Sequence, residues 1–260
     1  IAAARQYLKE KIVETPLLDL FSSKVSPLFA NGTSVKMKLE FLQHVGSFKS
    51  RGVLLGLAKL TEEHRRAGVI AFSAGNHALA VSWAAKVARI SAKVIMPEAA
   101  DKFRVEGCRA YGAEVLLAKD AEEGFSLMDY FSKKEKRFIM HPFEAEHMML
   151  GAATCGYEMI NAMPEMDIAI VPIGGGGLIA GVSAAIKLVK PSVQVYGVEP
   201  YGADSMFQSF IKKKPVAINK VKTIADSLGA PMALALSYEL AQSNVEEIVR
   251  LTDAEMIEAM

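Results

Sequence analysis

The stretch Val69-Ile70-Ala71-Phe72-Ser73-Ala74-Gly75-Asn76-His77-Ala78 decides the fold, because it joins a short apolar run to a helix-like run through a polar, glycine-bearing turn. Four apolar residues bounded by turn residues are typical of a buried strand. The residues that follow the turn place apolar side chains at helical spacing. The stretch therefore predicts a strand that leads into a helix through a loop at the strand's carboxyl end.

The same strand-to-helix order recurs from residue 68 onward, after a helix at 1–10 and an extended segment at 15–20. The predicted strands are Val69–Phe72, Ala92–Met96, Glu114–Ala118, Arg137–Met140, Asp167–Ile173, Val193–Val198 and Glu247–Leu251. The predicted helices are Asn76–Arg89, Lys102–Tyr111, Ala121–Lys134, Glu146–Ala162, Leu178–Val189, one near 203–213, one near 231–242 and one from Thr252. Strands that alternate with helices predict parallel sheets with helices on their faces.

The composition is that of an ordinary globular chain of 260 residues, with 51% hydrophobic residues and a net charge of +1. Basic runs are short and lack interleaved aromatic residues, which argues against nucleic-acid binding. No apolar run reaches the roughly 18 residues of a membrane span, and the first residues do not resemble a secretion signal. Cys108 and Cys155 have no metal-ligand spacing and predict reduced, partly buried thiols. We therefore expect a cytoplasmic protein with neither a nucleic-acid nor a membrane partner.

A lysine stands at a second strand-to-helix junction, upstream of the first. The sequence Gly46-Ser47-Phe48-Lys49-Ser50-Arg51-Gly52 follows an alternating, strand-like run at 34–41 and precedes apolar residues at helical spacing. We expect the hydroxyl of Ser47 to cap this helix. The positive end of the helix dipole and partial burial favour an uncharged Lys49 amine, which is a nucleophile suited to Schiff-base formation. A solvated first-turn lysine is the simpler alternative.

Four consecutive glycines, Gly174 to Gly177, follow the predicted strand at 167–173 and open a helix. Their backbone N–H groups lie at a helix N-terminus with no side chains in the way, which predicts an anion site. The run Gly175-x-Gly177-x-x-Ala180 also fits the dinucleotide fingerprint, with Glu199 where the ribose-binding acid would fall. The motif alone leaves a dinucleotide, another phosphate and a tight turn without ligand open.

The loop Ser73–His77 offers hydroxyl, amide and backbone donors at the carboxyl end of a strand, where open parallel sheets bind their ligands. Taken singly, Asn76 predicts a helix cap and His77 a first-turn residue. In combination with Lys49 and the four glycines, the loop completes a set. A Schiff-base lysine, a donor-rich loop for a carboxylate and a glycine cradle for one phosphate are what pyridoxal phosphate and an amino acid need.

Motifs spread over nearly the whole chain carry a resemblance to a known family. They are Glu14-Thr15-Pro16-Leu17, Gly46–Gly52, Ser73–Ala78, Met96-Pro97-Glu98, Tyr111–Val115, His141-Pro142-Phe143, Gly174–Gly177, Gly197–Pro200 and Thr223–Asp226. In content and order they resemble the fold-type-II pyridoxal-phosphate enzymes, and within these the serine/threonine dehydratases and the related serine racemases.

The resemblance implies an α/β fold with two open, mostly parallel α/β domains, the smaller inserted in the larger. Residues 1–67 and 147–260 would form the large, cofactor-binding domain, and residues 68–146 the small domain. Family members continue with a Glu-Pro segment and a Ser/Cys-Gly-Gly segment whose hydroxyl or thiol partners the pyridine nitrogen. Neither is present here, so we expect a truncated sequence whose large domain lacks its C-terminal end. Because dimers are usual in the family, a homodimer is expected as well.

Functional residues are also implied by the resemblance, position by position. Lys49 is the catalytic residue and carries pyridoxal 5′-phosphate as a Schiff base, Phe48 packs against the cofactor ring, and Asn76 contacts the ring's 3-hydroxyl group. The phosphate is held by Gly174, Gly175, Gly176, Gly177 and Leu178. The substrate carboxylate is bound by the loop of Ser73, Ala74, Gly75, Asn76 and His77. No metal ligand is assigned.

The implied activity is that of an ammonia-lyase, which removes water from a threonine- or serine-like β-hydroxy amino acid and yields a 2-oxo acid and ammonia. The substrate amine would displace Lys49, whose freed amine then removes the α-proton, while the electron-poor ring stabilises the carbanion. The alternatives are a serine-type racemase, a nicotinamide-dinucleotide oxidoreductase, and a binding protein with a vestigial site.

Three departures from the family pattern bear on these alternatives. Serine racemases carry a second serine where this chain has Ala74 and use it on the opposite face of the substrate, so racemisation is disfavoured. Some relatives bind a divalent cation through a glutamate at Glu199, the carbonyl of Ala203 and an aspartate where this chain has Ser205. That exchange places the cation site in doubt. Ser227 replaces a glycine in a loop beside the cofactor ring, which leaves the choice of substrate open.

Overall fold

The computed structural model describes residues 1–260, and its helices and strands lie close to the predicted ones. The strands are β1 (Leu17–Asp19), β2 (Lys36–Lys38), β3 (Val69–Phe72), β4 (Ala92–Pro97), β5 (Glu114–Ala118), β6 (Phe138–Ile139), β7 (Ile168–Pro172), β8 (Gln194–Pro200) and β9 (Glu247–Leu251). The helices are α1 (Ala2–Leu8), α2 (Lys49–Ala58), α3 (Glu62–Ala67), α4 (Asn76–Ala88), α5 (Lys102–Ala110), α6 (Ala121–Glu135), α7 (Glu146–Ala162), α8 (Gly177–Val189), α9 (Ser205–Lys212), α10 (Ala235–Asn244) and α11 (Asp253–Ala259). None of these helices has the length and apolar character that a membrane crossing requires.

The first sheet has four parallel strands in the order β5-β4-β3-β6. Val69 of β3 pairs with Ala92 of β4 on one side and with Phe138 of β6 on the other. Its strands are apolar because helices cover the sheet, and Val69 and Ile70 are fully buried. All four strands point the same way, so the loops that follow β3, β4 and β6 lie at one edge of the sheet.

The second sheet has three parallel strands in the order β7-β8-β9. Pro172 at the end of β7 pairs with Val198, and the four glycines follow two residues later at the carboxyl edge. A separate antiparallel pair, β1 with β2, lies near the start of the chain. The predicted α/β fold with open, mostly parallel sheets is therefore confirmed.

Helix α7 packs between α2 and α8, and glycines at both contacts allow the close approach. A Cβ atom added to Gly151 of α7 would lie 2.5 Å from the Cα of Gly52 in α2. On the other side, a Cβ on Gly156 would lie 2.7 Å from the carbonyl oxygen of Val182 in α8. The two helices that open at Lys49 and at the four glycines are thus held at fixed positions by one central helix.

Two local predictions fail. The alternating run at 34–41 forms only the three residues of β2, and its apolar Met37 is 43% exposed while Lys38 points inward. Within β2 the alternation is inverted because Lys38 binds the buried carboxylate of Glu158, whereas Leu39 is buried as predicted. Helix α3 is absent from the prediction, although Thr61 caps it by accepting a hydrogen bond from the N–H of His64 at 3.2 Å. A threonine followed by two glutamates was the signal for this helix.

Candidate active site

Lys49 is the first residue of α2, and its side chain turns toward the loop that follows β6. Its Nζ donates a hydrogen bond to the carbonyl oxygen of Pro142 at 2.6 Å and lies 5.0 Å from the centre of the Phe48 ring. Burial lowers the pKa of the Lys49 amine to about 8. An ordinary lysine has a pKa near 10.4, so a much larger share of this amine is uncharged and nucleophilic at neutral pH.

Ser47 does not cap this helix, contrary to the prediction. The residue before the first helical one is Phe48, and no side chain caps the helix start. Ser47 lies in extended conformation, and its buried hydroxyl has no hydrogen-bond partner in the protein. The helix begins at Lys49, one residue later than a cap at Ser47 requires.

A buried ion network fixes α2 behind Lys49. Arg51 is fully buried, and its Nη1 and Nη2 donate to the two carboxylate oxygens of Glu158 in α7 at 2.6 and 2.7 Å. Its Nε and Nη2 also donate to Glu40 at 2.8 and 2.9 Å. Lys38 of β2 donates to Glu158 at 2.6 Å, and its side chain is only 7% exposed. Burial alone would lower the pKa of Arg51, but the bonds to Glu158 and Glu40 raise it, so the guanidinium stays charged.

The four glycines join β7 to α8 and pack tightly against α9, α10 and the segment 141–144. Gly176 has a φ of +88°, and a Cβ there would lie 2.5 Å from the Met206 Cε and 2.9 Å from the Ser237 Cβ. A Cβ on Gly177 would lie 3.1 Å from the backbone of Phe143, and one on Gly175 would overlap the Phe143 ring. No side chain caps α8, which begins at Gly177. The loop therefore needs glycine for packing, and its helix N-terminus is open to an anion.

The loop after β3 presents the predicted donors at the edge of the first sheet. The N–H of Gly75 donates to the Ser73 hydroxyl at 3.2 Å, which closes the turn before α4. Asn76 is the first residue of α4, so it does not cap that helix, and its side-chain amide makes no hydrogen bond with a protein group. Ala74 is exposed, with a methyl group where a serine would carry a hydroxyl.

His77 is buried instead of lying on the helix surface. Its Nε2 is 2.8 Å from the carbonyl oxygen of Met140, and its Nδ1 has no partner in the protein. Burial, assisted by the positive charge of Lys49, lowers the pKa of His77 to about 3. The neutral ring thus donates from Nε2 to Met140. Because the His77 ring is buried, the backbone N–H of His77, and not its side chain, is available to bind a ligand at this loop.

The segment 141–144 joins Lys49 to the glycine loop and to α10, and no functional role is predicted for it from the sequence. Pro142 accepts the hydrogen bond from Lys49, and Phe143 lies against the glycine loop. Glu144 accepts hydrogen bonds from the N–H groups of Leu236 and Ser237 at 2.6 and 3.2 Å, which caps α10. The segment follows β6 directly, so its place at the carboxyl edge of a parallel sheet was the signal that could have identified it.

The loop around Ser227 lies against the glycine loop from the other side. A Cβ on Gly174 would lie 3.2 Å from the Cα of Leu228 and 3.4 Å from the carbonyl oxygen of Ser227. The turn is closed by the N–H of Gly229, which donates to the carbonyl of Asp226 at 3.0 Å. Ser227, which replaces the family's glycine, thus lies next to Gly174, the first of the four glycines.

Glu199 has a structural role that differs from the ribose-binding role weighed above. The residue is fully buried, and its Oε1 and Oε2 accept hydrogen bonds from the N–H groups of Met206 and Phe207 at 3.0 and 2.7 Å. Burial raises the pKa of this carboxyl to about 8, although the two N–H groups lower it. Both oxygens are occupied in capping α9, so the acid is not free for a ribose hydroxyl. This observation removes Glu199 from the dinucleotide fingerprint and leaves only the glycine run in favour of a dinucleotide site.

The arrangement fits pyridoxal phosphate. Lys49 provides an amine with a lowered pKa, the start of α8 provides uncapped N–H groups for a phosphate, and Asn76 provides an amide without a protein partner. Segment 141–144 brings the lysine and the glycine loop together. A Schiff-base lysine, a phosphate cradle and polar ring partners are what this cofactor needs.

Comparison with known proteins gives the same result. The chain is 45% identical over 260 residues to phenylserine dehydratase of Ralstonia pickettii, with 100% of the chain and 78% of the relative covered. It is 35% identical over 261 residues to L-threonine ammonia-lyase of Thermotoga maritima, with 100% of the chain and 64% of the relative covered.

The fold is similar to that of maize serine racemase, with a TM-score of 0.94 and 30% sequence identity. The match covers 100% of this chain and 78% of the racemase chain. The family described as pyridoxal-phosphate dependent enzymes matches residues 8–260. On this match, and on the site at Lys49, the chain belongs to the family of pyridoxal-phosphate dependent enzymes.

Proposed function

We propose that this protein is a pyridoxal-phosphate dependent ammonia-lyase that removes water from a β-hydroxy amino acid and yields a 2-oxo acid and ammonia. The observation that carries the proposal is the Lys49 amine, whose pKa of about 8 and bond to Pro142 suit proton transfer beside the glycine loop. A general base is most effective when its pKa lies near the working pH. Relatives with dehydratase and ammonia-lyase names support this reaction class.

The cofactor would be held by the residues that the sequence predicts. Lys49 would bind it covalently, Phe48 would pack on its ring and Asn76 would contact the ring's hydroxyl group. Gly174 to Gly177 and Leu178 would bind the phosphate at the start of α8, where the helix dipole favours an anion. When bound, the cofactor supplies an electron sink for the negative charge that develops at the substrate's α-carbon.

The chain's own residues would then bind the substrate and move its proton. The N–H groups of Ala74, Asn76 and His77 bind the α-carboxylate, because those of Ser73 and Gly75 already donate to Ile95 and to the Ser73 hydroxyl. The Lys49 amine, held by the Pro142 carbonyl, accepts the α-proton. Departure of the β-hydroxyl as water leaves an enamine, which tautomerises and hydrolyses in water to the 2-oxo acid and ammonia.

Racemisation is the second candidate, since maize serine racemase has a similar structure. Racemisation needs an acid or base on each face of the α-carbon. Lys49 serves one face, but the methyl group of Ala74 cannot donate a proton to the other. We therefore place elimination first.

The substrate that we favour carries an aryl group on its β-carbon. This choice rests on the relative at 45% identity, which is a phenylserine dehydratase. A spectrophotometric assay of 2-oxo acid release from phenylserine, threonine and serine tests both proposals. Release from any of these supports the ammonia-lyase, and the highest kcat/KM with phenylserine supports the aryl preference. Conversion to the opposite enantiomer without 2-oxo acid would contradict elimination.

A second copy of the chain is the partner that we propose, in a homodimer. Leu18 of β1 lies directly opposite Met37 of β2, and these side chains are 51% and 43% exposed. Phe41 and Leu42 extend the apolar surface beyond β2, at 64% and 49% exposure. Exposed apolar patches of this kind mark contact surfaces. Light scattering on the purified protein would give twice the chain mass if the proposal holds, and the chain mass if it does not.

Two further proposals concern organisation and location. We propose that residues 68–146, which contain the four-stranded sheet, form a small domain, and that 1–67 and 147–260 form the large one. We also propose a cytoplasmic location. It is supported by Cys108 and Cys155, which are buried and unpaired, as is usual in a reducing compartment.

A further inference from the structure

Arg104 of α5 reaches across the candidate site and binds Asp226. Its Nη1 lies 2.5 Å from Oδ2 of the aspartate, and its Nη2 lies 3.5 Å from Oδ1. The two side chains are 21% and 62% exposed. No other residue between 69 and 135 makes a hydrogen bond to residues 141–260. The pair is therefore the one polar link between these two parts of the chain on this side of the site.

Each end of the pair lies at a loop of the site. A Cβ built on Gly75 would lie 3.3 Å from Nη1 of Arg104, so the guanidinium packs on the middle of the Ser73–His77 loop. Asp226 stands directly before Ser227 and Leu228, which lie against Gly174. The ion pair thus spans from the proposed carboxylate-binding loop to the turn that supports the glycine loop.

The Arg104–Asp226 ion pair should affect substrate binding much more than it affects protein stability. An ion pair with a largely exposed carboxylate contributes little to the free energy of unfolding. A displacement of about 1 Å in a group that orients the substrate can nevertheless cost about a hundredfold in rate. Loss of the pair should therefore change substrate binding while leaving the unfolding temperature nearly unchanged.

We propose that Arg104 is a positioning residue, which through its ion pair with Asp226 holds the Ser73–His77 loop at the distance from the glycine loop that substrate binding needs. The proposal rests on the ammonia-lyase function for its effect on kinetics. Its structural part, the linkage of the two loops, does not depend on that function.

The experiment uses the holoenzyme and two readouts. Hydrogen exchange followed by mass spectrometry reports on the loops at 73–77 and 226–229, and steady-state kinetics with phenylserine report on kcat and KM. The variants are Arg104→Ala, Arg104→Lys, Asp226→Asn and the double variant Arg104→Asp/Asp226→Arg. Lys136→Ala is the control, because it removes an ion pair with Glu63 at 2.7 Å, away from the site, whose side chains are 72% and 61% exposed.

We expect Arg104→Ala and Asp226→Asn to speed exchange in both loops and to lower kcat/KM by at least about tenfold, mainly through KM. The losses of kcat/KM in the two variants should not be additive, since both variants break the same ion pair. Arg104→Lys and the charge reversal should recover part of the loss, while Lys136→Ala should behave as wild type. Exchange and KM unchanged in Arg104→Ala would overturn the proposal, as would faster exchange over the whole chain with a large fall in the unfolding temperature.

The two proposals can fail separately. If no β-hydroxy amino acid reacts with the wild-type protein, the proposed function fails, and the exchange readout alone decides on the linkage. If phenylserine reacts and Arg104→Ala has wild-type kinetics and exchange, the function stands and the positioning role is wrong.

Discussion

The two arginines nearest the candidate site bind carboxylates in opposite surroundings. Arg51, two residues after Lys49, is fully buried, binds the carboxylates of Glu40 and Glu158, and shares Glu158 with Lys38. Arg104 is partly buried, at 21% exposure, and binds the single, largely exposed carboxylate of Asp226. Lys49, the proposed cofactor-binding residue, thus lies on a rigid support, while the Ser73–His77 loop is attached by a weak contact. We therefore expect substitutions at Arg51 to change mainly the stability of the protein, and substitutions at Arg104 to change mainly substrate binding.

The largest effect on stability is expected for Arg51→Met. It leaves Glu40 and Glu158 buried without their main cation, which should lower the free energy of unfolding by about 3–5 kcal/mol. Urea denaturation measures this change. Lys133→Met, which removes an exposed pair with Asp129, is the control and should cost less than about 1 kcal/mol. Similar values for the two variants would contradict a rigid support behind Lys49.

A smaller effect is expected from pH, through Lys49 in the apoprotein. Its folded-state pKa of about 8 lies below the unfolded value near 10.4, so between these values the unfolded chain binds more protons. Stability should therefore rise from pH 8 to pH 10, by about 1–2 kcal/mol. The measurement is urea denaturation of wild type and Lys49→Met at both pH values. An equal pH response of the two proteins would show that burial does not lower the lysine's pKa.

Glu144→Ala is expected to cost about 1 kcal/mol, because its carboxylate caps α10 through Leu236 and Ser237. Thermal unfolding of this variant should be compared with that of Glu146→Ala, which loses only an exposed pair with Lys59. The segment that holds Lys49 through Pro142 should loosen in Glu144→Ala alone. Equal unfolding temperatures for the two variants would argue against a capping role.

The smallest effect on stability is expected for Arg104→Ala, within about 0.5 kcal/mol of wild type. Its effect on KM should be the largest of the surface variants, for the reasons given above. Calorimetric unfolding of the holoenzyme checks the first expectation. A loss as large as that of Arg51→Met would remove the contrast between the two sides of the site.

The sequence predicted the elements of both sheets well, because these strands and helices carry strong local signals. The strands Val69–Phe72 and Glu114–Ala118 and the helix Glu146–Ala162 were bounded correctly. Local signals failed where a distant partner decides the structure. The alternating pattern predicts that Lys38 points outward. In the structure it points inward, because it binds Glu158, which is 120 residues away in the sequence.

The candidate site was only partly predictable for the same reason. Lys49, the Ser73–His77 loop and the four glycines carry their chemistry in their own residue types. The roles of Pro142, Glu144 and Arg104 depend on partners that no local pattern reveals. A backbone carbonyl such as that of Pro142 leaves no trace in the side-chain sequence at all.

Reduction of the holoenzyme with borohydride, followed by peptide mass spectrometry, tests the central claim most directly. The account predicts a yellow protein whose cofactor is fixed by reduction to Lys49 and to no other lysine. Lys49→Ala should fold and carry no label. A colourless wild-type protein that takes up no pyridoxal phosphate, or a label on a different lysine, would contradict the account.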